Sequence, residues 1–293
     1  MNDYQPSDID RTLVAQLCSP LPARRRLFTI VFNALAFGLT ALAIIPLLSV
    51  LWEILKRGIT GFQPSMFVTS VIENGFANAM LGTATMVAIG SILSIPAGIM
   101  TGIFLAEFGQ TSPLASFVRF VNTILTGVPS IVVGVFAYGV VVSITKSFSA
   151  LAGGFALSVI MLPVVALTTE EALKLIPTAQ RLASAALGGT RFQTISKVVV
   201  GAAIPGITTG ILLAVARAAG ETAPLIFTAL FSLDWSQNLF SPTASLPVLI
   251  YNLYNDPAPE KFQLVWTTSI VLLAFILCIS ILSRLITNQK RTK

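Results

Sequence analysis

Arg217 and Glu221 stand four positions apart inside an otherwise apolar stretch, residues 204–225. If that stretch crosses a bilayer as a helix, Arg217 lies ~20 Å along it from its start and Glu221 ~6 Å further on. A charge near the bilayer centre costs ~2.5–3.5 kcal/mol on insertion scales, so each group must face protein or water and find a partner. A guanidinium offers a planar fork of donors suited to the oxygens of an oxyanion. An ionised Glu221 would repel such an anion, yet it could hold Arg217 while no anion is bound or accept a hydrogen bond from a protonated oxyanion. The spacing of four puts both side chains on one helix face with Gly210, Gly220 and Pro224, a candidate wall of a pathway. The bland alternative is an intrahelical ion pair that neutralises itself. Arg before Glu is the less favourable order for a purely stabilising pair.

Other chemistry is sparse. Glu170 and Glu171 are adjacent carboxylates, expected to be solvated loop or helix-start charges rather than a catalytic pair. No Gly-x-x-x-x-Gly-Lys-Ser/Thr phosphate cradle occurs, so if ATP drives any process here another polypeptide must bind it. Histidine is absent, and the two cysteines, Cys18 in a polar tail and Cys278 in the last apolar run, are expected at different depths. Neither a metal site nor a disulfide is expected, and the chain is read as performing no bond chemistry.

The elements that position Arg217 follow from hydropathy. The 293 residues are 55% hydrophobic and 10% charged, with a mean hydropathy of +0.85, which makes the bilayer the expected solvent. Six spans are predicted, at 27–52, 76–105, 117–142, 150–167, 204–225 and 264–286. The first is too long for a signal peptide and is expected to be retained. The net charge of +6 resides in loops and tails, not on one folded surface, which argues against nucleic acid as a partner. Thirteen lysines and arginines fall on the side of the termini, from Arg11 and Arg24–Arg26 to Lys293, against four on the other, Lys56, Arg57, Lys146 and Lys261. That asymmetry predicts both termini in the cytoplasm. Trp52, Trp235 and Trp266 all fall at predicted outer edges, where indoles favour the headgroup region.

Two spans carry small-xxx-small pairs, Gly98/Gly102 and Gly206/Gly210, and are expected to pack closely on protein. Pro96, Pro129, Pro163 and Pro224 free backbone carbonyls at membrane depth, tolerable where the site is buried or faces a cavity. Between spans four and five, residues 168–203 are neither apolar enough to span nor polar enough to be disordered. Leu182, Ala183, Ala186 and Leu187 recur at helical spacing, Pro177 suits a helix start, and Gly188-Gly189 can supply a left-handed cap. A second helix is expected from Thr190. By periodicity alone such a short amphipathic helix either docks a partner or rests on lipid. The segment 232–262, with Leu246, Val248, Leu249, Ile250, Tyr251, Leu253 and Tyr254, is too short to span and reads as an interfacial or re-entrant helix, in contact with lipid or near a docking surface.

The run Leu182-Ala183-Ser184, three residues and then Gly188 resembles the EAA loop of ABC importer permeases, although Leu182 stands where that pattern has Glu and Val200-Gly201 where it has Leu-Pro. The run 214–225, AVARAAGETAPL, resembles the signature of PstA-type phosphate permeases, as do the segment 125–134, Met161-Leu162-Pro163, the segment 168–173 and Leu246-Pro247-Val248. The resemblance covers nearly everything from span two onward. It implies an all-α type I ABC importer permease fold with six transmembrane helices, organised as a tail 1–26, a first helix and outer loop 27–75, a transmembrane domain 76–287 with a coupling loop 168–203, and a tail 288–293. It implies a substrate path at Arg217, Glu221 and Thr222, and contact with an ATPase through Leu182, Ala183, Ser184, Gly188 and Gly189. The implied partners are a PstC-like sister permease, two copies of a PstB-like ATPase that binds ATP and magnesium, and a PstS-like phosphate-binding protein, in a bacterial inner membrane. No cofactor is expected in this chain. The expected mechanism is alternating access, with the corner at Gly188 moved by the ATPase. Rival readings are a permease for sulfate or molybdate, an ATPase-independent transporter or channel, and a membrane scaffold without transport.

Overall fold

The computed structural model describes residues 23–109 and 112–289. Cys18, Arg11, Lys290, Arg291 and Lys293 lie outside the described residues, which contain helices and no β-strand. They divide into two units after Glu53. The first holds most of α1 (Ala23–Thr60), whose apolar side chains, Leu27, Phe28 and Phe37 among them, are exposed as a lipid-facing helix requires.

The second unit, from Ile54, contains α2 (Ala77–Phe108), α3 (Pro113–Gly127), α4 (Ser130–Thr145), α5 (Ala150–Lys174), α6 (Thr178–Ala186), α7 (Arg191–Ala219), α8 (Ala223–Thr228), α9 (Leu246–Leu253) and α10 (Pro259–Gln289). Among the described residues five helices are long and apolar enough to cross a membrane, and the bent pair α3 and α4 makes six if it is one span.

The most buried of these spans is α5. The last turns of α2 lie so close to it that a Cβ on Gly102 would stand 2.5 Å from Thr169 Cβ, and α7 approaches on Gly210, where a Cβ would stand 2.1 Å from Thr168 Oγ1. The small-xxx-small pairs thus mark real helix contacts, as close backbone approach in lipid requires. Helix α10 packs on both α7 and α9.

Three expectations change. Span 117–142 is not straight: α3 and α4 meet at 106°. Pro129 biases the preceding residue out of the helical region, and Val128 is extended at φ −68°, ψ 130°. Span 204–225 ends early, at Ala219; Gly220 terminates α7, and Pro224 in the first turn of α8 starts a new helix. Glu221 is therefore beyond the helix and does not share a helix face with Arg217. Finally, of the open readings of the 232–262 segment, contact with lipid alone does not hold for α9. Leu246, Val248 and Leu249 of α9 are fully buried, and its first amide, Leu246 N, donates to Thr83 Oγ1 of α2 at 2.9 Å.

Candidate functional site

Arg217 occupies the last turn of α7, where a cation is favoured by the carbonyl end of the helix. Its Nε lies 3.8 Å from Glu221 Oε1; the guanidinium side chain is about half exposed, at 53%, whereas Glu221 is 15% exposed. At that distance the contact is an ion pair without a close hydrogen bond, so the fork of donors remains largely available. Thr222 caps α8 through its backbone: its carbonyl accepts from Leu225 N at 3.1 Å and Ile226 N at 3.3 Å. Arg217, Glu221 and Thr222 thus cluster at a break between two helices rather than along one. The break is held in place by α4, since a Cβ on Gly134 would stand 2.7 Å from Pro224 Cα.

The corner after α6 forms as its residues dictate. Gly188 takes φ +81°, the left-handed conformation that glycine adopts at no steric cost. Leu187 N donates to Ala183 O at 3.2 Å and Gly189 N to Ser184 O at 3.0 Å, which satisfies carbonyls of the last turn of α6. Thr190 then starts α7 with a reciprocal capping box: Gln193 N donates to Thr190 Oγ1 at 3.3 Å and Thr190 N to Gln193 Oε1 at 3.0 Å. Ser184 Oγ and Thr194 Oγ1, 2.8 Å apart, pin the two helices together. Leu182, Leu187 and Phe192 project from this corner, 66%, 90% and 75% exposed.

Glu170 departs from its expected place in a solvated loop. Helix α5 runs seven residues past the predicted end of its span, to Lys174, and Glu170 on it is 3% exposed. Its Oε1 lies 2.8 Å from Arg119 Nε and 2.6 Å from Lys174 Nζ, and Arg119 Nη2 donates to Leu105 O at 2.8 Å. A buried carboxylate needs such partners, because an unpaired one would be strongly destabilising. This triad ties α2, α3 and α5 together. A second latch joins α6 to α2: Arg181 Nη2 lies 2.6 Å from Glu107 Oε1 and also donates to Leu173 O at 3.1 Å. Arg191 Nη2 donates to Glu107 O at 2.6 Å, with its guanidinium stacked on Phe108.

Residues 98–292 match the model of the binding-protein-dependent transport system inner membrane component family. The chain belongs to that family. As a permease subunit it is a multi-pass inner-membrane protein. It is 40% identical to the phosphate transport system permease protein PstA of Yersinia pestis over 84% of its own length and 85% of that protein. It is 38% identical to the PstA protein of Haemophilus influenzae over 88% of this chain and 95% of that one. A solved bacterial ABC transporter involved in the import of the acidic polysaccharide alginate shares the fold, with a TM-score of 0.64 at 16% identity, covering 90% of this chain and 99% of that chain.

Within this permease, the expected residues gather in two places, the break at Arg217, Glu221 and Thr222 and the corner at Leu182, Ala183, Ser184, Gly188 and Gly189. Glu107, Arg119 and Asn122 were not singled out as site residues. Arg119 lies two residues inside the predicted start of its span, where a charge can reach the interface, so the reasoning that picks out Arg217 gives no signal there. The i,i+4 spacing of Glu170 and Lys174 was an available signal.

Proposed function

We propose that this chain forms half of the translocation pathway of an ATP-driven importer for inorganic phosphate, with Arg217, Glu221 and Thr222 on the substrate path. The observation that carries the reading is the half-exposed guanidinium of Arg217 at a helix break within an apolar span, loosely held by a single carboxylate. The names of the relatives from Yersinia pestis and Haemophilus influenzae support phosphate as the cargo. When the anion arrives it takes the guanidinium donors, and Glu221 accepts a hydrogen bond from the protonated phosphate; when it leaves, Glu221 reclaims Arg217.

The second half is a PstC-like sister permease, and a PstS-like protein delivers phosphate from outside. Two PstB-like ATPase subunits bind ATP and magnesium and dock on the corner formed by Leu182, Ala183, Ser184, Gly188 and Gly189. The exposed apolar side chains of Leu182, Leu187 and Phe192 suit a protein partner, and the latch from Arg181 to Glu107 supports transmission of its motion into the bundle. The charge asymmetry of the loops supports both termini in the cytoplasm.

The test is uptake of labelled phosphate by membrane vesicles containing the assembled importer, with and without ATP. Phosphate uptake that requires ATP and resists excess sulfate and molybdate is expected. Full competition by sulfate or molybdate, or uptake by the purified chain alone, would overturn the reading.

A further inference from the structure

A cavity of about 290 Å³ opens between α3 and α5, lined by Arg119, Asn122, Thr123, Thr126, Glu170 and Lys174 among others. At ~30 Å³ per water molecule it has room for a small tetrahedral anion with a few waters. Of its lining residues only Leu167 is apolar. Asn122 is the unexplained member: it is 6% exposed, and its Nδ2 has no hydrogen-bond partner. A buried donor without a partner is costly and is rarely retained without a use. Around it stand two hydroxyls, two cations, the buried Glu170 that both cations hold, and Glu171, exposed at the cavity rim.

We infer that this cavity is a second anion station, which takes a singly or doubly protonated tetrahedral oxyanion. Two cations face two carboxylates here, and sulfate, which carries no proton at neutral pH, would set bare oxygens against those carboxylates with nothing to donate to them. A phosphate that keeps a proton satisfies both halves: its bare oxygens accept from Asn122 Nδ2, Thr123, Thr126 and the two cations, and its hydroxyl donates to a carboxylate. The proton on the anion is what the site reads.

The station is distinct from the break at Arg217 and structurally joined to it. Added Cβ atoms on Gly206 and Gly210 would meet Ala172 and Thr168 respectively, so α7 runs antiparallel to α5. Carried along both helices, that register separates Glu170 from Arg217 by ~14 Å along the bundle. The bent pair α3 and α4 links them: Thr126 lines the cavity just before the bend, and Gly134 beyond it packs on Pro224, three residues from Glu221. The inference rests on the reading of the chain as a phosphate permease, and its test separates the two.

The assembled transporter, with Cys18 and Cys278 replaced by serine, carries Leu167→Cys at the cavity wall and is placed in phosphatidylcholine nanodiscs, open on both faces. Labelling of this cysteine by a charged thiol reagent reports occupancy. Inorganic phosphate is expected to slow labelling about tenfold once its concentration is roughly ten times its dissociation constant, and sulfate is expected to leave the rate unchanged. Asn122→Leu should abolish this protection without changing the rate in the absence of phosphate or the yield of complex; it removes an unpartnered donor, so a merely structural Asn122 would leave protection intact. Absence of protection by phosphate, equal protection by sulfate, protection that survives Asn122→Leu, or protection only on adding phosphatidate to the nanodiscs would each overturn the station. Arg217→Ala in the same background, with labelling read in nanodiscs and uptake read in sealed vesicles of the same lipid, keeps the outcomes separable. Protection that persists while uptake is lost supports both proposals, and protection alongside normal uptake overturns the role of Arg217 while the station stands.

Discussion

Arg181 of α6 and Glu107 at the end of α2 are 74 positions apart in sequence and 2.6 Å apart in space, the carboxylate 8% exposed. The same arginine reaches the carbonyl of Leu173 in the last turn of α5 and that of Ile176 just beyond it, so one side chain locks the short helix to two spans. A partner that pushes α6 therefore pushes the bundle. Glu107→Ala should leave Arg181 bonded to the carbonyls and cost about 1.5–3 kcal/mol, the scale of a hydrogen bond to a charged group. Expected is a complex that assembles and hydrolyses ATP but moves less phosphate per ATP. Simultaneous measurement of hydrolysis and uptake checks this, and an unchanged ratio would remove the latch from the transmission route.

Arg217→Ala removes the guanidinium that stands at the α7–α8 break. Charge-assisted hydrogen bonds are worth about 1.5–3 kcal/mol each, so loss of one or more predicts uptake slower by about one to two orders of magnitude. Arg217→Lys keeps the charge but not the fork and should recover only part of the rate. Uptake kinetics alongside pull-down of the intact complex distinguish a path residue from a folding defect; normal uptake by the alanine variant would exclude it from the path.

At the corner, Gly188→Ala forces a β-carbon into the left-handed region, at a cost of about 1–2 kcal/mol. Nothing stands within 4 Å of that β-carbon, so the penalty is conformational rather than steric. Gly188→Asn should be milder, because asparagine tolerates this conformation. A cysteine at Ala183 should crosslink to the ATPase subunit in the parent complex, less in Gly188→Ala and nearly normally in Gly188→Asn. Equal crosslinking in all three would show that the corner geometry is not what presents α6.

For the contact of α2 with α5, Gly102→Val overpacks a site where even a β-carbon stands 2.5 Å from Thr169 Cβ. Overpacking of this kind costs about 1–3 kcal/mol or more. Gly139→Ala, in α4, meets nothing within 4 Å and serves as the tolerated comparison. Thermal denaturation of the detergent-purified complex should place Gly102→Val well below the parent and Gly139→Ala beside it; the reverse order would contradict the packing described here.

Hydropathy and helical spacing act over a few neighbouring residues, and what depends on such neighbours was legible in the sequence alone: the apolar spans, the charged pair at Arg217 and Glu221, the left-handed turn at Gly188, and the glycines at which helices meet. Proline shows where this legibility stops. Pro46, Pro96, Pro163 and Pro205 all sit inside continuous helices, yet Pro129 turns the chain through 106°. Local preference at Val128 permits the bend, and the packing of Gly134 on Pro224 rewards it; only the second of these depends on a residue 90 positions away. The same holds for Glu170. Its sequence neighbours suggest a solvated carboxylate, and it is buried because α3 brings Arg119 to it across 51 positions. Tertiary structure decided these pairings because a buried charge takes whatever partner the packed helices place within reach, and no local pattern encodes that distance.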